Sequence, residues 1–177
     1  MRAFLGFAVP DALSLELLAV RDQAVTRLTS ASPQPVIAAN FHMTLAFLGD
    51  IDAARASEIS IAVDALVSSL GPVRLCLDQA HCFPDARSTI FAAEGPADQH
   101  LVRLHRRLLR VLGEPESRPY RPHITLARLK RAYVPAPSWS LDLPFEASEL
   151  CFYESISSEW GVRYRAIRRW QLGRLPA

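Results

Sequence analysis

His42-Met-Thr-Leu-Ala-Phe-Leu48 and His123-Ile-Thr-Leu-Ala-Arg-Leu129 are one seven-residue phrase written twice. Five of the seven positions are identical, and the copies stand 81 residues apart. Alternation along a strand puts His42, Thr44 and Ala46 on one face and Met43, Leu45 and Phe47 on the other. The second copy puts His123, Thr125 and Ala127 on one face, with Ile124, Leu126 and Arg128 behind. Each copy offers an imidazole beside a hydroxyl on an apolar backing. Core packing explains repeated leucines. It gives little reason to repeat a histidine and a threonine.

The surrounding elements repeat as well. Arg2–Val9 reads as a buried strand, and Pro10-Asp11 as a helix start. Leu13, Leu17, Val20, Ala24 and Leu28 follow at helical spacing. A proline-containing loop, 30–38, leads into a strand over Phe41–Leu48. A second helix is expected from Asp52 to Leu70, with Ile59, Ala62, Leu66 and Leu70 inward and Gly71-Pro72 as its stop. Strands are expected at Val73–Leu77 and Thr89–Ala93, with His81-Cys82-Phe-Pro-Asp as a turn. A helix over Ala97–Leu112 turns Leu101, Leu104, Leu108 and Val111 inward and ends at Gly113. Two closing strands, Leu150–Tyr153 and Val162–Leu172, are joined by a turn around Glu159-Trp160-Gly161. This order predicts an α+β fold in which residues 1–177 form one two-lobed, pseudo-symmetric domain.

Composition narrows the function classes. The chain has 177 residues, 50% hydrophobic and 21% charged, enough to bury a core. No apolar run approaches the roughly 20 residues of a membrane span, so no membrane partner is expected. The opening lacks a cleavage site of the secretory kind after its short apolar stretch. Three scattered cysteines make no disulfide framework. A cytoplasmic protein acting as a monomer is expected. Of 20 basic residues 19 are arginine, and the charge is uneven. Residues 1–88 carry 6 Arg against 9 acids, whereas 89–177 carry 13 Arg and Lys130 against 9 acids. Arginine forks suit phosphate and bases, although codon bias also produces such an excess.

Paired histidines without carboxylates in either motif make a poor metal site. His100 and His105 lie off a common helical face, and His81 beside Cys82 has no further ligand. No metal and no cofactor are expected. A Ser-His-Asp triad needs one histidine, not a symmetric pair. In-line displacement at phosphorus fits better. One side needs a base and the other an acid, and imidazole, with a pKa near ~6.5, serves as either. Thr44 and Thr125 would hold the non-bridging oxygens.

These residues resemble the two-histidine phosphoesterase superfamily, in its RNA 2′,3′-cyclic phosphodiesterase branch (LigT-like, 2′-5′ RNA ligase-like). The likeness rests on His42-x-Thr44-Leu45-x-Phe47-Leu48-Gly49 and on Arg118-Pro-Tyr-x-Pro-His123-Ile-Thr125-Leu126-x-Arg128. It extends to Arg2-x-Phe4 and to Tyr153-Glu-Ser155, Gly161, Tyr164 and Trp170. It implies antiparallel sheets flanking a central cleft, with helices outside. It implies hydrolysis of RNA 2′,3′-cyclic phosphate termini or cyclic nucleotides to 2′-phosphates, with reversible 2′-5′ ligation in some members. It further implies His42 as proton donor and His123 as proton acceptor. Phe47 and Arg128 occupy matching places and would clamp a nucleobase. Strict alternation opposes this, since it turns both away from the histidines unless the strand bulges. Arg118 and Arg121 are candidates for RNA phosphates. A non-catalytic RNA-binding module, or the same chemistry on a small cyclic phosphate or 2′-5′ oligoadenylate, stands as the alternative.

Overall fold

The computed structural model describes residues 1–133, 137–159 and 161–173. The elements are β1 (Arg2–Ala8), α1 (Asp11–Arg27), β2 (Pro33–Pro35), β3 (His42–Asp50), α2 (Ala53–Val67), β4 (Val73–Cys82), β5 (Ile90–Glu94), α3 (Gln99–Leu112), β6 (His123–Leu129), β7 (Ser138–Ala147), β8 (Glu149–Ser158) and β9 (Gly161–Gln171). The described strands form one continuous antiparallel sheet whose two halves, β3-β1-β8-β9 and β6-β5-β4-β7, join at β3 and β6, with β2 added to β6. The motif strands β3 and β6 are innermost and pair at a single position, Met43 opposite Ile124. A pseudo-twofold axis passes between these two residues.

The helices cover one face of this assembly. One apolar cluster takes Leu5, Phe7, Met43 and Leu45 from one half, Phe91, Ile124 and Leu126 from the other, and Leu17, Ile59 and Leu108 from the helices. The helices are exchanged between halves. Helix α1, which follows β1, packs on β6, β2 and β7; α3, which follows β5, packs on β3.

Several boundaries differ from expectation. Helix α2 ends at Val67, short of Gly71-Pro72, because the Ser68 and Ser69 hydroxyls donate to the Ala65 and Leu66 carbonyls. Val111 is exposed; His105, Leu109 and Leu112 join Leu101, Leu104 and Leu108 on the buried face of α3. Gly113 closes α3 at φ 70° as expected. His81 and Cys82 belong to β4, whose pairing with β5 carries it past the expected end at Leu77. Strand β7 was not anticipated. Its alternation, Trp139, Leu141, Leu143, Phe145, Ala147, is regular but contains Pro144. It is an edge strand, where a missing N–H is tolerated. Trp160 of the expected final turn lies outside the described residues.

Candidate active site

Both motif histidines begin their strands, and the two motifs show the same burial along their first six positions. Met43, Leu45, Ile124 and Leu126 are buried in the core; His42, Thr44, His123 and Thr125 are half-buried on the other face of their strands. Antiparallel pairing about Met43–Ile124 brings the motifs side by side, head to tail.

Each motif strand carries an extra residue at the same place, and β3 carries a second at Leu48. Opposite β1, Gly6 pairs with Thr44 and Leu5 with Ala46, so Leu45 is skipped. Opposite β5, Ala92 pairs with Thr125 and Phe91 with Ala127, so Leu126 is skipped. A bulge of one residue reverses the alternation beyond it. Phe47 therefore pairs with Phe4, and Arg128 with Ile90, on the face that carries the histidines. Phe47 is 67% exposed although it is a large apolar ring, and Arg128 is exposed as well. The carbonyls freed by the bulges are taken up. Leu45 O accepts from His105 Nδ1 and Thr44 O from the Tyr120 hydroxyl; Leu126 O accepts from the Val36 N–H.

The imidazoles are held alike. His42 Nδ1 lies 2.7 Å from the Asn40 carbonyl, and His123 Nδ1 lies 2.9 Å from the Arg121 carbonyl. A carbonyl only accepts, so Nδ1 bears the proton in both rings and Nε2 is the nitrogen free to titrate. His42 sits in a box of rings, with centroids 4.6 Å from Phe4, 4.9 Å from Tyr164 and 5.8 Å from Tyr153. His123 stacks on Phe83 at 3.8 Å.

Burial disfavours the charged form of both imidazoles. Burial lowers the pKa of His42 to about 4 against its Asn40 hydrogen bond, and the positive charges of His123 and Arg128 add to the effect. Burial also lowers His123, but the Arg121 carbonyl and the Glu94 carboxylate oppose it. Burial thus disfavours a proton on His42, which runs against the donor role implied for it. An anionic phosphate between the rings favours the charged form of both.

A cavity of about 310 Å³ opens beside His123, lined among others by Thr44, Phe47, Phe83, Arg118 and Tyr120. Arg118 lines it. Arg121 lines it too, with its guanidinium bonded to Glu94 and to the Pro84 carbonyl. Among the described residues no three His, Cys, Asp or Glu side chains come together to hold a metal ion. No described helix is long and apolar enough to cross a membrane. Of the rings around the histidines, Phe4, Tyr153 and Tyr164 belong to the segments that carry the resemblance and come from β1, β8 and β9; Phe83, in the loop after β4, gives no signal in the sequence.

Such a duplicated site, on this sheet, places the chain in a defined class. The profile of the 2′-5′ RNA ligase superfamily matches residues 10–157, and the chain belongs to that superfamily. Among curated relatives, the RNA 2′,3′-cyclic phosphodiesterase of Escherichia coli K12 is 27% identical over 161 residues, spanning 86% of this chain and 90% of that protein. The protein of the same name from Methanocaldococcus jannaschii is 25% identical and spans 96% and 100%. Escherichia coli LigT complexed with 3′-AMP superposes with a TM-score of 0.76 at 26% identity, covering 98% of each chain. TT0787 of Thermus thermophilus reaches a TM-score of 0.83 at 21% identity over 97% and 98%, a likeness of fold.

Proposed function

We propose that this chain is a metal-independent RNA 2′,3′-cyclic phosphodiesterase acting as a monomer in the cytoplasm, with residues 1–177 working as one unit. The observation that carries the reading is the pseudo-twofold pair of Nδ1-anchored imidazoles, each with a threonine on the same face. The names of the Escherichia coli and Methanocaldococcus jannaschii relatives support it.

The cyclic phosphate lies between His42 and His123, with its non-bridging oxygens toward Thr44 and Thr125. Water attacks phosphorus in line with the P–O3′ bond. His123 Nε2 takes the proton of the attacking water. His42 Nε2 gives a proton to O3′ as that bond breaks, leaving a 2′-phosphate and a 3′-hydroxyl. The threonine hydroxyls donate to charge growing on the phosphoryl oxygens. Burial favours the neutral form of His123, which is the form a base needs. His42 takes up its proton with the anionic substrate, and its weak hold on that proton makes it an effective donor. A 5′-hydroxyl of RNA in place of water would give a 2′-5′ linkage by the same transfers. Phe47 and Arg128, swung onto this face by the two bulges, supply stacking surfaces for the nucleobase.

The test is incubation with each nucleoside 2′,3′-cyclic phosphate in EDTA, with the product isomer assigned by phosphorus NMR. A 2′-phosphate formed at undiminished rate is expected. Binding without turnover would favour the RNA-binding module, and loss of turnover restored by a divalent ion would overturn the mechanism.

A further inference from the structure

The orientation of each imidazole is only as fixed as the carbonyl that receives its Nδ1–H. Both carbonyls belong to the residue two positions before the histidine, Asn40 and Arg121. Neither residue lies in its motif strand, so strand pairing does not hold them. Their side chains do.

Asn40 ends a short 3-10 turn and is one of two buried polar residues among those described. Its amide bridges to β9. Nδ2–H donates to the Val162 carbonyl at 2.7 Å, and Oδ1 accepts from the Tyr164 N–H at 3.1 Å. An amide side chain thus pairs with β9 much as a strand would. The Tyr164 ring, whose backbone it holds, meets His42 edge-on at 4.9 Å. One side chain therefore fixes both the carbonyl behind His42 and a wall of its box.

Arg121 repeats this with different chemistry. Its fork binds both oxygens of Glu94, Nε to Oε1 and Nη2 to Oε2, each at 2.6 Å; Nη1 donates to the Pro84 carbonyl at 3.0 Å. The guanidinium lies 4.7 Å over Phe83, the ring stacked on His123. Glu94 is the register partner of His123 on β5, and His81 Nε2 lies 2.6 Å from its Oε2, the oxygen that also accepts from Arg121 Nη2. Burial alone would raise the Glu94 carboxyl, but Arg121 and His81 hold it below its ordinary range, so it stays charged.

We infer that Asn40 and Arg121 are paired positioning residues, one for each catalytic imidazole, each fixing the Nδ1–H tautomer through its backbone carbonyl and the facing ring through its side chain. The pairing extends the duplication beyond the two motifs. A neutral amide serves His42, and an ion pair serves His123. The catalytic consequence rests on the phosphodiesterase reading; the tautomer consequence does not.

The test combines nitrogen NMR of the imidazoles with kinetics. In Asn40→Ala, His42 should lose its uniform Nδ1–H signature and acquire Nε2–H tautomer, while His123 keeps its own. In Arg121→Ala the pattern should reverse. In each variant kcat should fall about tenfold or more through loss of alignment, with KM for a 2′,3′-cyclic nucleotide within about twofold, since Thr44, Thr125, Phe47 and Arg128 stay in place. Asn40→Asp, which still accepts from Tyr164 but loses the donor to Val162, and Glu94→Gln, which keeps shape and weakens the fork, cover the case in which an alanine variant fails to fold. A folded variant whose tautomer at the matching histidine is unchanged overturns the inference, whatever its activity. If the wild-type protein turns over no cyclic phosphate, the function falls, and the tautomer exchange still decides the positioning.

Discussion

Gly6→Ala tests whether the bulge in β3 shapes the site. Gly6 pairs with Thr44 next to the skipped Leu45, on the face that carries His42. A Cβ built there stands 2.8 Å from the Met43 carbonyl oxygen, 3.3 Å from its carbon and 3.4 Å from Thr44 Cα. All three are backbone atoms of the motif, so no side chain can swing aside. Restoring ordinary contact at 3.4 Å requires β3 to retreat by about 0.6 Å. His42 also depends on this gap. Its register partner is Ala8, yet its ring lies 4.6 Å from that of Phe4, so it leans along β1 across Gly6. A misplacement of about 1 Å costs roughly a hundredfold where geometry is tight, so a retreat about half that size should lower kcat by about tenfold. Overpacking of this kind costs about 1–3 kcal/mol, which for a chain of this length lowers Tm by about 2–12 °C. The assays are steady-state kinetics on cyclic nucleotides and thermal unfolding of the same preparation. Wild-type kcat/KM together with wild-type Tm would mean that β3 yields freely, and the bulge could not then be what sets Thr44 and Phe47.

The pH profile should be displaced to the acid side. Burial disfavours the charged form of both imidazoles, so the pair holds one proton only between a lower limb near 4 and an upper limb below the ordinary 6.5. kcat/KM should peak between these limbs and fall as pH rises through 7, whereas kcat, measured with the phosphate anion bound, should peak higher; a kcat/KM that climbs to a plateau at pH 8 would contradict this. Phe47→Ala should raise KM for all four cyclic nucleotides to similar extents, by roughly 1–3 kcal/mol of lost stacking, with Tm unchanged because the ring is exposed; unequal effects among the bases would point to hydrogen-bonded readout instead. Thr44→Val and Thr125→Val should each lower kcat/KM by at least roughly tenfold, the cautious end of the range for a lost phosphoryl donor, and two unchanged values would make the hydroxyls structural.

The duplicated motif, its strands and the strand-helix order around each copy were all open to direct reading. They are local patterns, written in alternation and helical spacing. What escaped reading depends on partners. The bulges at Leu45 and Leu126 arise from how β1 and β5 pair with the motifs, so alternation alone turned Phe47 and Arg128 the wrong way. Strand β7 alternates cleanly, but Pro144 argues against a strand until the topology shows that it lies at an edge. Asn40 and Arg121 share an offset from their histidines yet not a residue type, and only the hydrogen bonds reveal a common task. The spacing of His105 leaves surface and partly buried packing equally open; its bond to the Leu45 carbonyl is what draws it inside.

The crossed placement of α1 and α3 has a thermodynamic consequence. The apolar face of β6 is covered by a helix from early in the chain, and that of β3 by a helix threaded between β5 and β6. A fragment ending after α2 would take α1 away from β6 and leave β3 without α3. Neither repeat can bury its own sheet, so neither retains a native basin once severed from the other. Unfolding should then be a single all-or-none transition across both repeats, and the formation of the catalytic pair should coincide with the folding of the whole chain.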